Sequence, residues 1–372
     1  MYGKEDKLKP LKRNFLMMNN SCWIVFLAFL IGGSAYAQGR AKGYVCYRTD
    51  QPINIDGKAD EAVWNKVPWT NSFRDIEGDS RPLPKFDTKV KMLWDDEYLY
   101  FYTYLEEPDL WATLTERESI IYLDNDFEVF IDPNNDGQHY YEFEINALGT
   151  EWDLLLTQPY RFGGKPVFDW DIKGMKTAVH LDGTLNDPSD KDRGWGIEIA
   201  MPWSSLNELS ARRAKPKSGE QWRLNFSRVQ YELHKENGQY VKVKGDDGKP
   251  LPEYNWVWVP TGKIDMHRPN RWGYLQFSDL KAGDGKEDFI ADPDYALQQY
   301  LFTLIDEQRK YKAQHGHYTE LANLQVEEWA PEKAVAVQFY DGPVLSVGAS
   351  NAARTKRYFV TMEGKLIVEN LK

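Results

Sequence analysis

Residues 124–137, DNDFEVFIDPNNDG, crowd carboxylates and amides around three apolar side chains. Read as a strand, the alternation sends Phe127, Val129 and Ile131 to one face and Asp126, Glu128, Phe130 and Asp132 to the other. Three chemistries fit the polar face: a solvated surface, a calcium-binding edge, or the floor of a ligand cleft. Asp126 and Asp132 are satisfied by a solvated face. Glu128 is different. The following run, YYEFEINALG, repeats the alternation, and pairing through the PNNDG loop brings Glu144 and Asn146 onto the same face. Two carboxylates facing each other are unfavourable unless a cation or a donor-rich ligand lies between them.

Metal chemistry has its own signal. Asp132, Asn134, Asp136 and Gly137 spell the first half of a calcium loop, D-x-N-x-D-G. The second half fails, because the twelfth position is Phe143 and not a bidentate glutamate, so an EF-hand is excluded. Structural calcium held by this hairpin loop, with ligands from elsewhere in the fold, is the expectation. Asp95 and Asp96 read as turn residues. In IDMHRPNRWG, Met266, His267 and Arg268 read either as a cleft rim or as a structural turn, with Trp272 buried. The remaining histidines show neither H-E-x-x-H nor triad-like spacing.

The elements that must position these residues are mostly strands. TKVKMLWDDEYLYFYTYLEE reads as a hairpin closed by the acidic turn Asp95–Asp96. DFEVFID and YYEFEINALG form a second pair, and EWDLLLT, GWGIEIAMP, QWRLNFSRVQY and WGYLQF continue the pattern. Helical signals are confined to 60–67 and to 202–209, the latter opened by Pro202. Trp64, Trp94, Trp152, Trp195 and Trp222 fall in these patterns as core residues, and 246–255 reads as a surface loop. The whole predicts an all-β, antiparallel sandwich over 43–280. Beyond it, 285–372 reads as a small α+β extension: a helix with Leu297, Leu301, Leu304 and Ile305 on one stripe, stopped at Gly316, then the short runs AVAVQFY, RYFVTM and KLIVEN.

Bulk properties narrow the partners. The N-terminus has a basic leader, an apolar core from Trp23 to about Gly33 and Ala-Tyr-Ala ending at Ala37, which predicts an export signal over 1–37 cleaved after Ala37. The destination is then periplasmic or extracellular. The chain of 372 residues has a net charge of −11, and losing the basic leader makes it more negative, which disfavours nucleic acid as a partner. Of two cysteines only Cys46 would survive cleavage, so an intramolecular disulfide and thiolate zinc are excluded. Fourteen Trp and 22 Tyr, many beside polar residues, suit half-wet faces on which sugar rings stack, and equally suit aromatic strands.

Taken in order, INIDGKADEAVWNKV, VKMLWDDEYLYFYTYLEE, DNDFEVFIDPNNDG, YYEFEINALGTEWD, GWGIEIAMPWSSL, WRLNFSRV and RPNRWGYLQF resemble the family 9-like carbohydrate-binding modules over roughly residues 50–280. The resemblance implies an immunoglobulin-like β-sandwich that binds structural calcium, holds sugar ends between two aromatic rings and accompanies glycoside hydrolases. It places the acidic sugar ligand at Glu128 and a strand asparagine at Asn146. The family's basic position is Glu144 here, its first stacking tryptophan falls near Tyr122, and its second at Met266 or His267.

The leading expectation is a secreted, non-catalytic protein that binds a neutral glycan or oligosaccharide in polysaccharide catabolism, with a glycoside hydrolase as possible partner. A glycosidase using a pair among Glu128, Glu144, Asp126 and Asp153 is the alternative. A haem-binding sandwich using Met266 with His267 is a third, disfavoured because adjacent side chains diverge and C-x-x-C-H is absent.

Overall fold

A computed structural model describes residues 41–324, 326, 338–340 and 345–372; the expected export signal lies outside the described residues, as does most of the run AVAVQFY. The strands that build the site are β1 (Gly43–Arg48), β2 (Thr88–Trp94), β3 (Tyr98–Glu106), β4 (Asp126–Asp132), β5 (Tyr140–Asn146), β6 (Glu151–Leu156), β7 (Lys176–Asp182), β8 (Gly194–Pro202), β9 (Gln221–Gln230) and β10 (Gly273–Lys281). They hydrogen-bond in the order β6-β5-β4-β9-β10-β1-β2-β3-β8-β7. β1 joins two layers. Its first half runs parallel to β10 and its last two residues run parallel to β2, with an irregularity between Cys46 and Arg48.

The alternation read from the sequence decides what lies between the layers. Phe127, Val129 and Ile131 of β4, with Phe143 and Ile145 of β5 and Leu224 and Phe226 of β9, share one core with Val90, Met92, Phe101, Ile197 and Ile199 of the other layer. The apolar side of each strand thus faces inward, as a sandwich requires. Trp64, Trp94, Trp195, Trp222 and Trp272 are fully buried. Two helical expectations shrink: 60–67 becomes a 3₁₀ turn at Ala62–Lys66, and 202–209 a single α-turn, Trp203–Leu206, entered from Pro202.

The C-terminal helix α1 (Tyr295–His315) ends at Gly316, whose φ of 84° is the left-handed cap that glycine adopts without strain. Its Leu297, Leu301, Leu304 and Ile305 pack on β11 (Ser346–Ser350), β12 (Lys356–Thr361) and β13 (Leu366–Asn370), together with Phe162 of the sandwich. The loop 132–138 receives the β12–β13 turn: Leu366 N–H donates to the Asp136 carbonyl at 2.9 Å, the Gln138 side chain donates to the Glu363 carbonyl at 3.0 Å, and Lys365 Nζ lies 3.2 Å from the Asp136 carboxylate.

Candidate carbohydrate site

The outer face of β4, β5, β6 and β9 is the candidate site. Cross-strand register places Glu128 directly opposite Glu144, Phe130 opposite Glu142, and Asp126 opposite Asn146. On the flanks Ser227 lies beside Glu128, and Trp152 beside Glu144. The expectation that Asp126 and Asp132 are solvated is corrected: every residue of β4 and of β5 is buried. The physical reason is tertiary contact that the strand pattern alone does not carry: Asp126 accepts the Val229 N–H of β9, and Asp132 is wrapped by its own hairpin loop, whose Asn135 and Gly137 N–H groups it accepts.

Asp126, Glu128 and Glu144 each offer a carboxylate oxygen within 4.8 Å of the others. Asp126 Oδ1 accepts the Val229 N–H at 3.2 Å, and Glu144 Oε2 accepts the Tyr122 N–H at 3.0 Å. Asp126 Oδ2 and Glu142 Oε2 are buried without a hydrogen-bond partner. Burial raises the pKa of all four carboxyls, and Glu128 adds repulsion to Asp126, Glu142 and Glu144; Glu128 itself is pushed up to about 7. Buried oxygens left unpaired are costly, and they are well placed to accept hydrogen bonds from a hydroxyl-rich ligand.

Above this floor stands an aromatic wall. Tyr122, 41 % exposed, lies 6.4 Å from Trp152, and Trp152 stacks on Phe168 with centroids 6.0 Å apart and planes 10° off parallel. Tyr122 is carried by a 3₁₀ turn (Ile121–Leu123), and its carbonyl accepts the Tyr231 hydroxyl at 3.1 Å. Trp152 belongs to this outer cluster, with Phe130, Tyr140 and Leu154, and not to the main core where its strand pattern places it. With Glu142 on the floor and Phe168 in the wall, it is a site residue that sequence reasoning misses. The alternation of Trp152, Leu154 and Leu156 is visible in EWDLLLT, but the side of the sheet it serves is set by register with Glu144.

The remaining expected residues divide. Met266 packs against the outer cluster, and its carbonyl accepts Trp272 Nε1 at 2.8 Å. His267 reaches the floor: Nδ1 lies 2.9 Å from the Tyr140 hydroxyl, Nε2 lies 4.0 Å from Glu142 Oε1, and the ring meets Tyr160 edge-on at 4.5 Å. Burial depresses its pKa to about 4, so it is neutral at physiological pH. Arg268 turns away from the floor and pairs with Asp306 of α1 at 2.7 Å. Asn146 is also diverted. Its amide donates to the Leu114 carbonyl and to Asp124 Oδ2, while its oxygen accepts the Leu148 and Thr150 N–H groups. Both ends of that side chain are used in shaping the turn after β5.

The hairpin loop is likewise committed to its own backbone. Asp132 accepts N–H groups of Asn135 and Gly137 at 2.9 Å, Asn134 accepts that of Asp136 at 3.1 Å, and Asp136 accepts that of Gln138 at 2.8 Å. Carboxylate and amide oxygens turned to the loop's own N–H groups, with Lys365 against Asp136, are a poor fit to a cation. Asp153, on the core side of β6, accepts from Arg117 at 2.5 Å and from the Ile172 N–H. A separate cavity of 730 Å³ runs beside β1, lined by Tyr44, Trp69, Trp258 and Phe289, and shares no residue with the acidic face.

Comparisons place this geometry. The model of the carbohydrate family 9 binding domain-like family matches residues 55–239. Exoglucanase XynX of Acetivibrio thermocellus is 29 % identical over 156 residues, 42 % of this chain and 12 % of that protein. Endo-1,4-beta-xylanase A of Thermoanaerobacterium saccharolyticum is 30 % identical over 153 residues, 41 % of this chain and 11 % of that protein. The chain thus spans only about an eighth of the length of these curated relatives. Among solved structures, a family 9 carbohydrate-binding module from Caldicellulosiruptor kristjanssonii in complex with cellotriose aligns at TM-score 0.41 and 16 % identity, covering 67 % of this chain and 100 % of that one. The glucose complex of a family 9 module from the same organism aligns at TM-score 0.40 and 17 % identity, covering 66 % and 98 %. Residues 55–239, which include the whole of β4, β5, β6 and β9, are a carbohydrate family 9-like binding module.

Proposed function

We propose that this protein is a secreted, non-catalytic binder of neutral glycans that serves polysaccharide breakdown alongside glycoside hydrolases. The observation that carries the reading is the juxtaposition of a carboxylate floor with an aromatic wall in which exposed Tyr122 and Phe168 flank buried Trp152. Aromatic planes take the C–H face of a pyranose, and carboxylate oxygens accept its hydroxyls. Xylanase and exoglucanase relatives favour plant cell-wall oligosaccharides as first probes. Export rests on the leader at 1–37.

A non-catalytic role agrees with the placement of the acids. A glycosidase sets its two carboxyls on opposite sides of the scissile bond, about 5–5.5 Å apart in retaining enzymes and about 6.5–9.5 Å in inverting ones. Asp126, Glu128, Glu142 and Glu144 all rise from one sheet face, on the same side of any ligand resting there. Among the described residues no helix is long and apolar enough to cross a membrane.

Calorimetry against cello-, xylo-, manno- and arabino-oligosaccharides tests the proposal. Saturable binding that Tyr122→Ala weakens is the expected result, and silence across the panel overturns it. Release of reducing sugar from polysaccharide would overturn the non-catalytic part alone.

A further inference from the structure

Two groups of three acidic side chains converge in this protein, and they are built differently. Glu118, Asp153 and Asp171 close around a cation that the chain supplies: Arg117 lies 3.1 Å from Glu118, 2.5 Å from Asp153 and 2.9 Å from Asp171. Asp126, Glu128 and Glu144 converge as tightly, yet the charged groups that act on them most strongly are carboxylates: Glu128 on Asp126 and on Glu144, with Asp124, Glu142 and Glu253 adding to it. Asp126 is fully buried and its Oδ2 has no hydrogen-bond partner; Glu142, 5 % exposed, has an equally unpartnered Oε2 on the same face.

From this contrast we infer that Asp126, Glu128 and Glu144 bind a divalent, oxygen-preferring cation of the calcium class. Three carboxylates from two adjacent strands supply hard oxygen ligands of the type such ions take, and Glu144 Oε2 also accepts the Tyr122 N–H, which ties the cluster to the aromatic wall. Direct cross-strand pairing of Glu128 with Glu144 fixes two of the ligands through backbone hydrogen bonds. Opposed carboxylates destabilise a sheet, and a cation between them turns that repulsion into attraction. The hairpin loop Asp132–Asp136 is the rival position, and its oxygens are held by its own N–H groups. The inference rests on the reading of this face as the glycan site only for its consequence: the ion's open positions take vicinal hydroxyls of the sugar, so glycan affinity depends on the cation.

The test uses the full chain stripped of metal with a chelator and dialysed. Calcium titrated calorimetrically is expected to bind one site, and excess calcium to raise the melting temperature by about 5 °C. Glu144→Gln is expected to weaken calcium at least tenfold, and to melt no lower than the unmodified protein when both are metal-free, because it removes the repulsion between Glu144 and Glu128 while the amide oxygen can still accept the Tyr122 N–H. A merely structural Glu144 would lower that melting point. Glu128→Gln, read in the same way, serves if Glu144→Gln does not fold. Asp136→Asn is expected to leave calcium binding intact. Absence of calcium binding, or its loss in Asp136→Asn with retention in Glu144→Gln, overturns the inference. Sugar binding that is equal with calcium and with chelator overturns the dependence on the ion. Calcium binding without any sugar binding upholds the cation site and sinks the glycan reading.

Discussion

Glu128 and Glu144 stand directly opposite each other across the β4–β5 ladder, 6 % and 1 % exposed. A sheet gains from opposite charges or apolar pairs at such positions and loses from like charges. The sandwich tolerates the pair because Phe127, Val129, Phe143 and Ile145, on the reverse of the same two strands, anchor both in the main core. Local repulsion is thereby held against global burial. Phe127→Ala is expected to lower stability by about 3–5 kcal/mol, measured by denaturant unfolding, and to loosen the acidic face with it.

Stability should fall as pH rises through neutrality. Glu198, fully buried, accepts N–H groups of Asp56 at 2.9 Å and Gly57 at 3.0 Å and that of Trp64 at 3.2 Å, and burial pushes its pKa up to about 7. A carboxyl raised on folding binds more proton in the native state between about 4.5 and 7, so unfolding free energy declines with pH across that window, by up to ~1.4 kcal/mol per unit. The raised carboxyls of the acidic face act with the same sign. His267, depressed to about 4, opposes them below its unfolded value of 6.5, as one group against several. Metal-free protein is therefore expected to melt higher at pH 5.5 than at pH 8, and thermal scans in matched ionic strength check the order.

Much of this was legible before any coordinates, and the reasons differ by residue. The period-2 pattern in DFEVFID and YYEFEIN identifies both the core face and the acidic face, because alternation is a property of the strand itself. Glu128 facing Glu144 follows once the hairpin is assumed. What the pattern does not carry is tertiary cover: Trp152 looks like core until its strand is placed beside β5, and Asp132 looks solvated until its loop folds back on it. Asn146 fails as a ligand for a local reason. An asparagine ending a strand satisfies its own turn before it serves anything outside. Arg268 fails for a distant one, since the helix that claims it begins 27 residues later at Tyr295.

The aromatic wall separates affinity from stability. Tyr122 is well exposed while Trp152 is 8 % exposed, stacked on Phe168 and tilted against Tyr122. Tyr122→Ala is expected to weaken glycan binding roughly tenfold, about 1.4 kcal/mol, with a small change in melting temperature. Trp152→Ala is expected to weaken binding and also to cost about 3 kcal/mol of stability. Parallel calorimetry and denaturant melts distinguish the two; equal stability loss in both variants would refute the assignment of Tyr122 to a ligand face.

Asn146→Ala carries the opposite signature. It removes a side chain that donates twice and accepts twice at a buried turn, leaving the Thr150 N–H short of its partner, while the Leu114 carbonyl keeps the Thr150 hydroxyl. Unsatisfied buried groups cost about 1–3 kcal/mol each. Stability should drop by about that amount while glycan affinity per folded molecule is retained. A loss of affinity with unchanged stability would return Asn146 to the ligand set.

The last expectation concerns the C-terminal segment. Asp306 on α1 receives both Arg161, at 2.5 Å, and Arg268, at 2.7 Å, and burial depresses the Arg161 pKa to about 10. Asp306→Ala leaves two half-buried guanidiniums close together, with Asp265 3.9 Å from Arg161 and the Asn270 side-chain oxygen accepting from Arg161 at 3.2 Å as partial compensation. Breaking a buried pair from one side costs about 3–5 kcal/mol, somewhat less here because water reaches both arginines. The cost should fall on the packing of α1 against the sandwich, since β4, β5 and β9 have their own core. Limited proteolysis is then expected to cut near residues 316–324 well before the sandwich unfolds, with glycan affinity unchanged. If instead the sandwich melts together with the helix, the 132–138 loop and its contacts to Lys365 and Leu366 couple the two more tightly than the arginine pair does.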